Sequence, residues 1–133
     1  MDHYSDNTAA NKIVLGLLRI ITAFLFIPHG AQKIFGGFGR DAVELFSLFG
    51  VAGVLEFFGG LAILIGLFTR PVAFVLSGLM AVAYWLAHGF KDFWPIVNNG
   101  EKAVLYCFIF LLLFVHGAGS FSLDGWLRGN KTN

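Results

Sequence analysis

The sequence predicts an all-α integral membrane protein, a bundle of four transmembrane helices. Of its 133 residues, 57% are hydrophobic and only 13% are charged, whereas about a quarter of a soluble domain is usually charged. The apolar residues form four long runs, and a soluble domain of this size has too little interior to bury all four. We therefore expect one membrane domain covering residues 1–133.

The first helix is predicted over residues 12–35. Its apolar run exceeds the about 7 to 15 residues of a signal-peptide core, so we expect it to be retained as a helix. Arg19, His29 and Lys33 are spaced so that they lie on one stripe of this helix. Because a charged side chain near the membrane centre costs about 2.5 to 3.5 kcal/mol, this stripe should face protein or trapped water and not lipid.

The remaining spans are separated by short connections rich in glycine and charge. A short amphipathic helix is expected over residues 42–49, followed by spans at about 51–68, 71–88 and 101–116, and by a polar tail over 117–133. Four crossings place both chain ends on one side. Lys and Arg number five on that side, counting the one inside the first span, against four on the other, which favours cytoplasmic termini.

Polar residues from the four spans are predicted to gather in the half of the bilayer away from the chain ends. At a rise of about 1.5 Å per residue, this group comprises His29, Lys33, Glu56, Tyr84, His88, Glu101 and Tyr106. Glu56 is the strongest candidate, because a carboxylate among apolar neighbours must be paired, protonated or functional. Arg19 lies lower, and two partners stay open for it: Glu56, or the tail at Asp124. Either pairing is compatible with a purely structural role.

Composition also argues against several kinds of site. The net charge of +1 without a basic cluster gives no support for nucleic-acid binding. The single cysteine, Cys107, excludes an intrachain disulfide and a cysteine zinc site. His29 and His88 with Glu56 or Glu101 would supply a two-histidine, one-carboxylate set. No HxxxH or ExxH spacing supports a metal site built from these residues. Histidines at helix ends more often cap the helix or are hydrated at the membrane surface, so neither metal nor haem is predicted.

Several short motifs follow one another in a specific order. They are Arg19, His29-Gly30-x-x-Lys33, Glu56-x-x-Gly59-Gly60, Gly66-Leu67-x-Thr69-Arg70, His88-Gly89, Gly100-Glu101, and the tail from Gly117 to Asp124. In this order the chain resembles the DoxX family of small four-helix bacterial membrane proteins. The tail departs from the family pattern, since Ala118 and Ser120 stand where proline and a cation are frequent, which leaves Asp124 with fewer local partners.

The resemblance implies a multi-pass protein of the bacterial inner membrane that is associated with redox chemistry. Relatives occur as the membrane subunit of a thiosulfate:quinone oxidoreductase and in oxidoreductase complexes that handle thiol and oxidant stress. The expected function is therefore a membrane subunit of a quinone-linked oxidoreductase. Candidate ligand-binding or proton-relay residues are Arg19, His29, Lys33, Glu56, Tyr84, His88 and Glu101.

Two other functions stay open at this point. One is a scaffold that stabilises a larger membrane assembly, and the other is a small-molecule carrier, disfavoured because four helices offer no obvious central cavity. Nothing in the chain carries electrons unaided, so the first function requires a redox partner or a bound cofactor, with quinone the candidate. Glycine-lined helix faces also favour a homo-oligomer.

Overall fold

The computed structural model describes the backbone of residues 3–131 and the side chains of residues 8–129. Within this part of the chain the secondary structure is helical, without strands. The helices are α1 His3–Phe35, α2 Leu48–Ile65, α3 Thr69–Tyr84, α4 Pro95–Asn98, α5 Glu101–His116 and α6 Leu123–Lys131, and α3 continues into a π-helical turn, Trp85–Gly89.

The four long helices pack as two pairs, which confirms the predicted all-α membrane bundle. The helix α1 packs mainly against α2, and α3 against α5, while the pairs meet through α2 with α3 and α1 with α5. Phe26, Ile63, Leu76, Phe110 and Leu113 fill the core between them. Large apolar side chains also cover much of the outer surface, as expected of a protein whose solvent is lipid.

Three segments of the described chain are long and apolar enough to cross a membrane by themselves: Thr8–Phe35, Leu48–Ile65 and Thr69–Gly89. The helix α5 is also apolar but has 16 residues, about 24 Å at a rise of about 1.5 Å per residue. This is shorter than the hydrocarbon core of about 30 Å. Its apolar side chains face the core and the outer surface, and it completes the bundle beside α3.

Glycines allow α1 and α2 to approach until their backbones touch. A Cβ atom on Gly30 would lie 2.5 Å from the backbone nitrogen of Phe57 and 2.8 Å from the carbonyl oxygen of Gly53. A Cβ on Gly53 would lie 2.7 Å from Cβ of Lys33. Side chains larger than hydrogen do not fit at these positions, and the close contact brings Lys33 of α1 to the surface of α2.

The predicted helix over residues 42–49 is wrong. This segment instead folds back against the helix ends, and α2 begins at Leu48. The N–H of Val43 donates to the carbonyl of Lys33 at 2.9 Å, and Oγ of Ser47 accepts from the N–H of Gly50 at 3.1 Å. Both bonds satisfy helix-terminal groups that have no partner inside their own helix. Because the segment is held by these bonds to the ends of α1 and α2, it does not form a separate helix.

The outer boundaries of the helical region also differ from those predicted. The helix α1 begins at His3 and not near residue 12, because the polar N-terminal residues continue the same helix before the apolar run. The predicted polar tail is ordered: residues 117–122 form a loop against α1, and α6 follows. Residues 1, 2, 132 and 133, which the prediction included in the N-terminal segment and the tail, lie outside the described part of the chain.

Candidate functional site

A buried ion pair joins α1 to α2. Nζ of Lys33 lies 2.6 Å from Oε1 of Glu56, and the Glu56 side chain is 3% exposed against 28% for Lys33. A carboxylate buried to this degree is stable only with a partner. The second oxygen, Oε2 of Glu56, is buried and has no hydrogen-bond partner in the described part of the chain, so the pair satisfies only half of the carboxylate.

A cavity of about 440 Å³ adjoins this pair, and we call it the polar cavity. Residues of α1, α2, α3, the π turn, α5 and two loops line it: Phe26, His29, Gln32, Lys33, Arg40, Glu56, Met80, Ala83, His88, Asn99, Lys102, Ala103 and Tyr106. Its volume lies within the range of about 300–1,000 Å³ that small-molecule sites occupy. Four of the 13 lining residues are apolar and the other nine carry polar groups, so this cavity is more polar than most small-molecule sites.

Aromatic rings form the inner wall of the polar cavity. The ring of Phe26 packs edge-on against Tyr106 and Phe110, with centroids 5.1 and 4.9 Å apart. The imidazole of His29 lies 6.1 Å from the Tyr106 ring at an interplanar angle of 76°. These contacts fix the ring positions, so the rings of His29 and Tyr106 are held beside one another at the cavity.

The π-helical turn places His88 at the cavity with a defined hydrogen bond. Nδ1 of His88 lies 2.9 Å from the backbone carbonyl of Asn98. Because a carbonyl only accepts, Nδ1 carries the proton, and Nε2 of a neutral ring is left as an acceptor. A π turn inside a helix often marks a functional site, and here it ends the α3 segment beside the cavity.

Asn98 organises the loop that covers the cavity. The buried Asn98 amide donates to Oη of Tyr84 and to the carbonyl of Asp92, both at 3.0 Å, and Oδ1 accepts from the N–H of Gly100 at 2.8 Å. These bonds fix the start of α5 relative to α3. They also place Lys102 of α5 at the cavity.

The structure brings together four of the seven candidate residues, because His29, Lys33, Glu56 and His88 all line the polar cavity. Tyr84 does not line it, and its hydroxyl accepts from Asn98 instead. Glu101 is exposed in the first turn of α5 and is also outside the lining. The seventh, Arg19, lies at the opposite end of the bundle.

Arg19 is fully buried and holds the C-terminal segment. Its guanidinium donates to the backbone carbonyls of Ala118, Ser120 and Phe121, the last two at 3.0 and 2.7 Å. Of the two partners left open by the sequence, Arg19 therefore reaches the tail and not Glu56. It binds carbonyls of the tail, while Asp124 accepts from the backbone N–H groups of Phe68 and Thr69 at 2.8 and 2.9 Å.

The comparison with protein families agrees with this architecture. The model of the DoxX family matches residues 14–89, which includes the stripe of α1, all of α2 and α3, and the π turn. The chain belongs to the DoxX family.

Relatives of this DoxX chain include membrane proteins and one protein named for redox activity. An uncharacterized protein of Haemophilus influenzae is 41% identical over 83% of the chain and 87% of the relative. The inner membrane protein YqjF of Escherichia coli is 36% identical over 83% and 88%. The putative oxidoreductase CatD of Bacillus subtilis is 29% identical over 88% and 89%. No solved structure matches the chain.

Four polar residues of the DoxX cavity were missing from the sequence-based candidates: Gln32, Arg40, Asn99 and Lys102. Gln32 lies between His29 and Lys33 but was not counted in the stripe of α1, which was defined by Arg19, His29 and Lys33. The other three lie on loops or at a helix start. Arg40 and Lys102 are exposed, so with Lys33 they give the mouth of the cavity an excess of positive charge over Glu56. In the sequence, Lys33, Arg40 and Lys102 all lie near the membrane face that is predicted to be away from the chain ends. This cluster of cations could have indicated the residues at the mouth of the cavity.

His29 and His88 of this DoxX protein both line the polar cavity. Among the residues that the structure describes, no three His, Cys, Asp or Glu side chains lie close enough together to hold a metal ion. His88 directs Nδ1 to a backbone carbonyl, and Glu101 is outside the cavity. The donor set that the sequence left open is therefore not assembled in this part of the chain.

Proposed function

We propose that this DoxX protein is the membrane subunit of a quinone-linked oxidoreductase, and that a quinone or a similar small apolar ligand binds in the polar cavity. The observation that carries the proposal is Glu56, a buried carboxylate beside a cavity with one of its oxygens unpartnered. Intramembrane carboxylates are costly and are usually functional. The relative named as a putative oxidoreductase supports the redox assignment, and the relative named as an inner membrane protein supports the location.

The residues of the cavity fit the needs of a quinone. Such a ligand has two carbonyl oxygens that accept hydrogen bonds on an apolar ring, and it takes up protons when it is reduced. Lys33 donates to a carbonyl oxygen, and Phe26 and Met80 supply an apolar surface for the ring. The unpartnered Oε2 of Glu56 and Nε2 of a neutral His88 are proton acceptors at the cavity, so each is suited to act as a general base when the reduced ligand is oxidised and releases its protons.

Electrons must come from outside this chain. The groups at the cavity bind, orient and exchange protons, and none of them is an electron carrier. The proposal therefore includes a redox partner, bound at the membrane surface near the cavity mouth. With cytoplasmic termini, as the distribution of Lys and Arg favours, this mouth opens on the opposite face of the inner membrane.

A scaffold function is the second candidate, and specific contacts favour it. The terminal nitrogens of Arg19 bind three carbonyls of the C-terminal loop, although its buried Nε has no hydrogen-bond partner in the described part of the chain, and the Tyr84 hydroxyl accepts from Asn98. These contacts give both members of the candidate set a role in packing. The scaffold does not explain the cavity or the half-paired Glu56. A carrier function was disfavoured because four helices offer no obvious central cavity, and the presence of a cavity removes that objection. No contact in the bundle specifically favours a carrier.

The test is extraction of quinone from the protein purified in mild detergent. We expect quinone in the wild type, loss in Glu56→Gln and His29→Ala, and retention in Glu101→Gln, which makes the same chemical change outside the cavity. Absence of quinone from the wild type, together with stoichiometric co-purification of another membrane complex, would favour the scaffold. Equal quinone in all four samples would reflect partition into detergent and contradict a site at Glu56.

A further inference from the structure

A second, apolar cavity of about 570 Å³ adjoins the polar cavity, and we call it the vestibule. Seven residues line both cavities, among them Lys33 and Glu56, so the ion pair forms part of the wall of each. The rest of the vestibule's lining includes Asp41 and Val43 of the loop after α1, Leu48, Phe49 and Ala52 at the start of α2, and Val82, Leu86 and Ala87 at the end of α3 and in its π turn.

The vestibule opens on the outer apolar surface of the bundle. Leu48, Val82 and Leu86 are 65%, 54% and 63% exposed although they also line it. Val82 and Leu86 lie within the candidate span Thr69–Gly89, and from this position we infer that the mouth faces acyl chains. A polar chamber inside and an apolar outlet to the side match a ligand with one polar and one long apolar end.

We propose that the cavity takes a long-chain quinone, with its ring at Lys33 and Glu56 and its isoprenoid tail passing out through the vestibule between α2 and α3. This inference rests on the proposed function and specifies the ligand class and its route. Because lipid chains are as apolar as the vestibule walls, the tail gains little free energy by leaving the bilayer. The vestibule therefore provides access and orientation, and the polar cavity provides most of the affinity.

Small side chains keep the route open. Ala52 on α2 and Ala83 and Ala87 at the end of α3 line the vestibule, and Ala83 lines the polar cavity as well. A methyl group at each position leaves space that a larger apolar residue would fill. A bulky side chain at the mouth would therefore occupy part of the passage.

The first test uses the wild-type protein in nanodiscs and a quinone with a photoreactive diazirine on the part of its tail that adjoins the ring. We expect crosslinks in residues 48–52 and 82–87, and their loss when excess unlabelled quinone competes. A diazirine lipid without the quinone ring is the control for non-specific labelling. Crosslinks concentrated on α5, or the same pattern with the ringless lipid, would overturn the route while leaving ring binding intact.

The second test compares Val82→Trp with Val115→Trp. The two valines are 54% and 57% exposed, but only Val82 lines the vestibule. We expect Val82→Trp to weaken binding of the long-tailed quinone about tenfold, equal to about 1.4 kcal/mol, without weakening a tail-less analogue. Val115→Trp should change neither.

The outcomes separate the route from the proposed function. Equal weakening of both ligands by Val82→Trp, or no weakening of either, would overturn the route. If neither ligand binds the wild type, the proposed function fails and the route with it. The crosslinking result decides the question if Val82→Trp does not fold.

Discussion

At the scale of single residues, the contact between Lys33 and Glu56 is the feature that most separates a site from simple packing. The Glu56 carboxylate is buried and has one partner for two oxygens. A carboxylate needed only for stability would be expected to satisfy both oxygens. Arg19 also has a buried atom without a partner in the part of the chain that the structure describes, Nε, but it lines neither the polar cavity nor the vestibule, and its terminal nitrogens bind three carbonyls of the C-terminal loop. The position of Glu56 at the cavity is therefore what distinguishes it from Arg19.

Replacement of Glu56 by glutamine tests this pair. Glu56→Gln keeps the shape but leaves the Lys33 charge without its partner, so we expect a loss of about 1 to 3 kcal/mol in the free energy of unfolding. Glu101→Gln changes an exposed side chain in the same way, and we expect a change within about 0.5 kcal/mol. Unfolding in detergent, followed by circular dichroism, measures both.

A double-mutant cycle with Lys33→Gln distinguishes pairing from independent effects. We expect the loss in free energy of unfolding of the double variant, Lys33→Gln with Glu56→Gln, to be smaller than the sum of the two single losses by at least about 0.5 kcal/mol. The reason is that the second substitution removes a charge whose partner is already gone. Additive losses would mean that the two side chains do not interact in the bilayer, which would contradict the geometry of the site.

At the scale of elements, the contact of α1 with α2 at Gly30 and Gly53 sets how closely the two helices approach. Gly30→Ala would place a Cβ atom 2.5 Å from the Phe57 nitrogen, and backbone atoms cannot turn aside as a side chain can. We expect the helices to separate, with a loss of about 1 to 3 kcal/mol. Gly78→Ala in α3 is the control, since nothing lies within 4 Å of the added atom, and it should stabilise by about 0.5 to 1 kcal/mol.

The C-terminal loop is the second element whose position depends on long-range contacts. Lysine is a point charge on a flexible stem and does not reproduce the planar donor set of arginine. Arg19→Lys should therefore cost about 1.5 to 3 kcal/mol of local stability and speed hydrogen exchange of residues 117–124 about tenfold or more. Arg40→Lys, at the other end of the bundle, should leave that exchange unchanged. Equal protection in both variants would contradict the role of Arg19.

Helix type and the stripe on α1 were predictable because they depend on periodicity within one segment. The short helix over 42–49 was predicted wrongly because its backbone bonds go to the ends of α1 and α2, which no local pattern reveals. The cap of α3 comes from Asp124, 55 residues beyond Thr69. Depth alone predicted that His29, Lys33, Glu56, His88 and Tyr106 would lie together, and all five line the polar cavity. Depth did not reveal that Tyr84 and Glu101, predicted in the same group, lie outside it.

At the scale of the whole molecule, the bundle divides into two ends with different tasks. At one end, the loop over residues 117–122 packs on α1, with the N–H of Ser120 donating to the carbonyl of Lys12 at 2.9 Å. At the other end lie the polar cavity and the vestibule. The first end is held by hydrogen bonds of the C-terminal loop to α1, and the second end contains the two cavities.

The orientation of these two ends is a property that a reporter fusion measures. The five to four distribution of Lys and Arg favours cytoplasmic termini. We expect a C-terminal fluorescent protein to be fluorescent in cells and a C-terminal alkaline phosphatase to be inactive. Active phosphatase with a dark fluorescent protein would reverse the orientation, and the cavity mouth would then face the cytoplasm.

The most direct measurement of the central claim is an equilibrium titration of a tail-less quinone analogue into the purified protein in nanodiscs, with empty nanodiscs subtracted. The account predicts saturable binding in the wild type that is about tenfold or more weaker in Glu56→Gln, a loss of about 1.4 kcal/mol or more, and unchanged in Glu101→Gln. Linear, non-saturating uptake, equal in all three proteins, would contradict a binding site at Lys33 and Glu56.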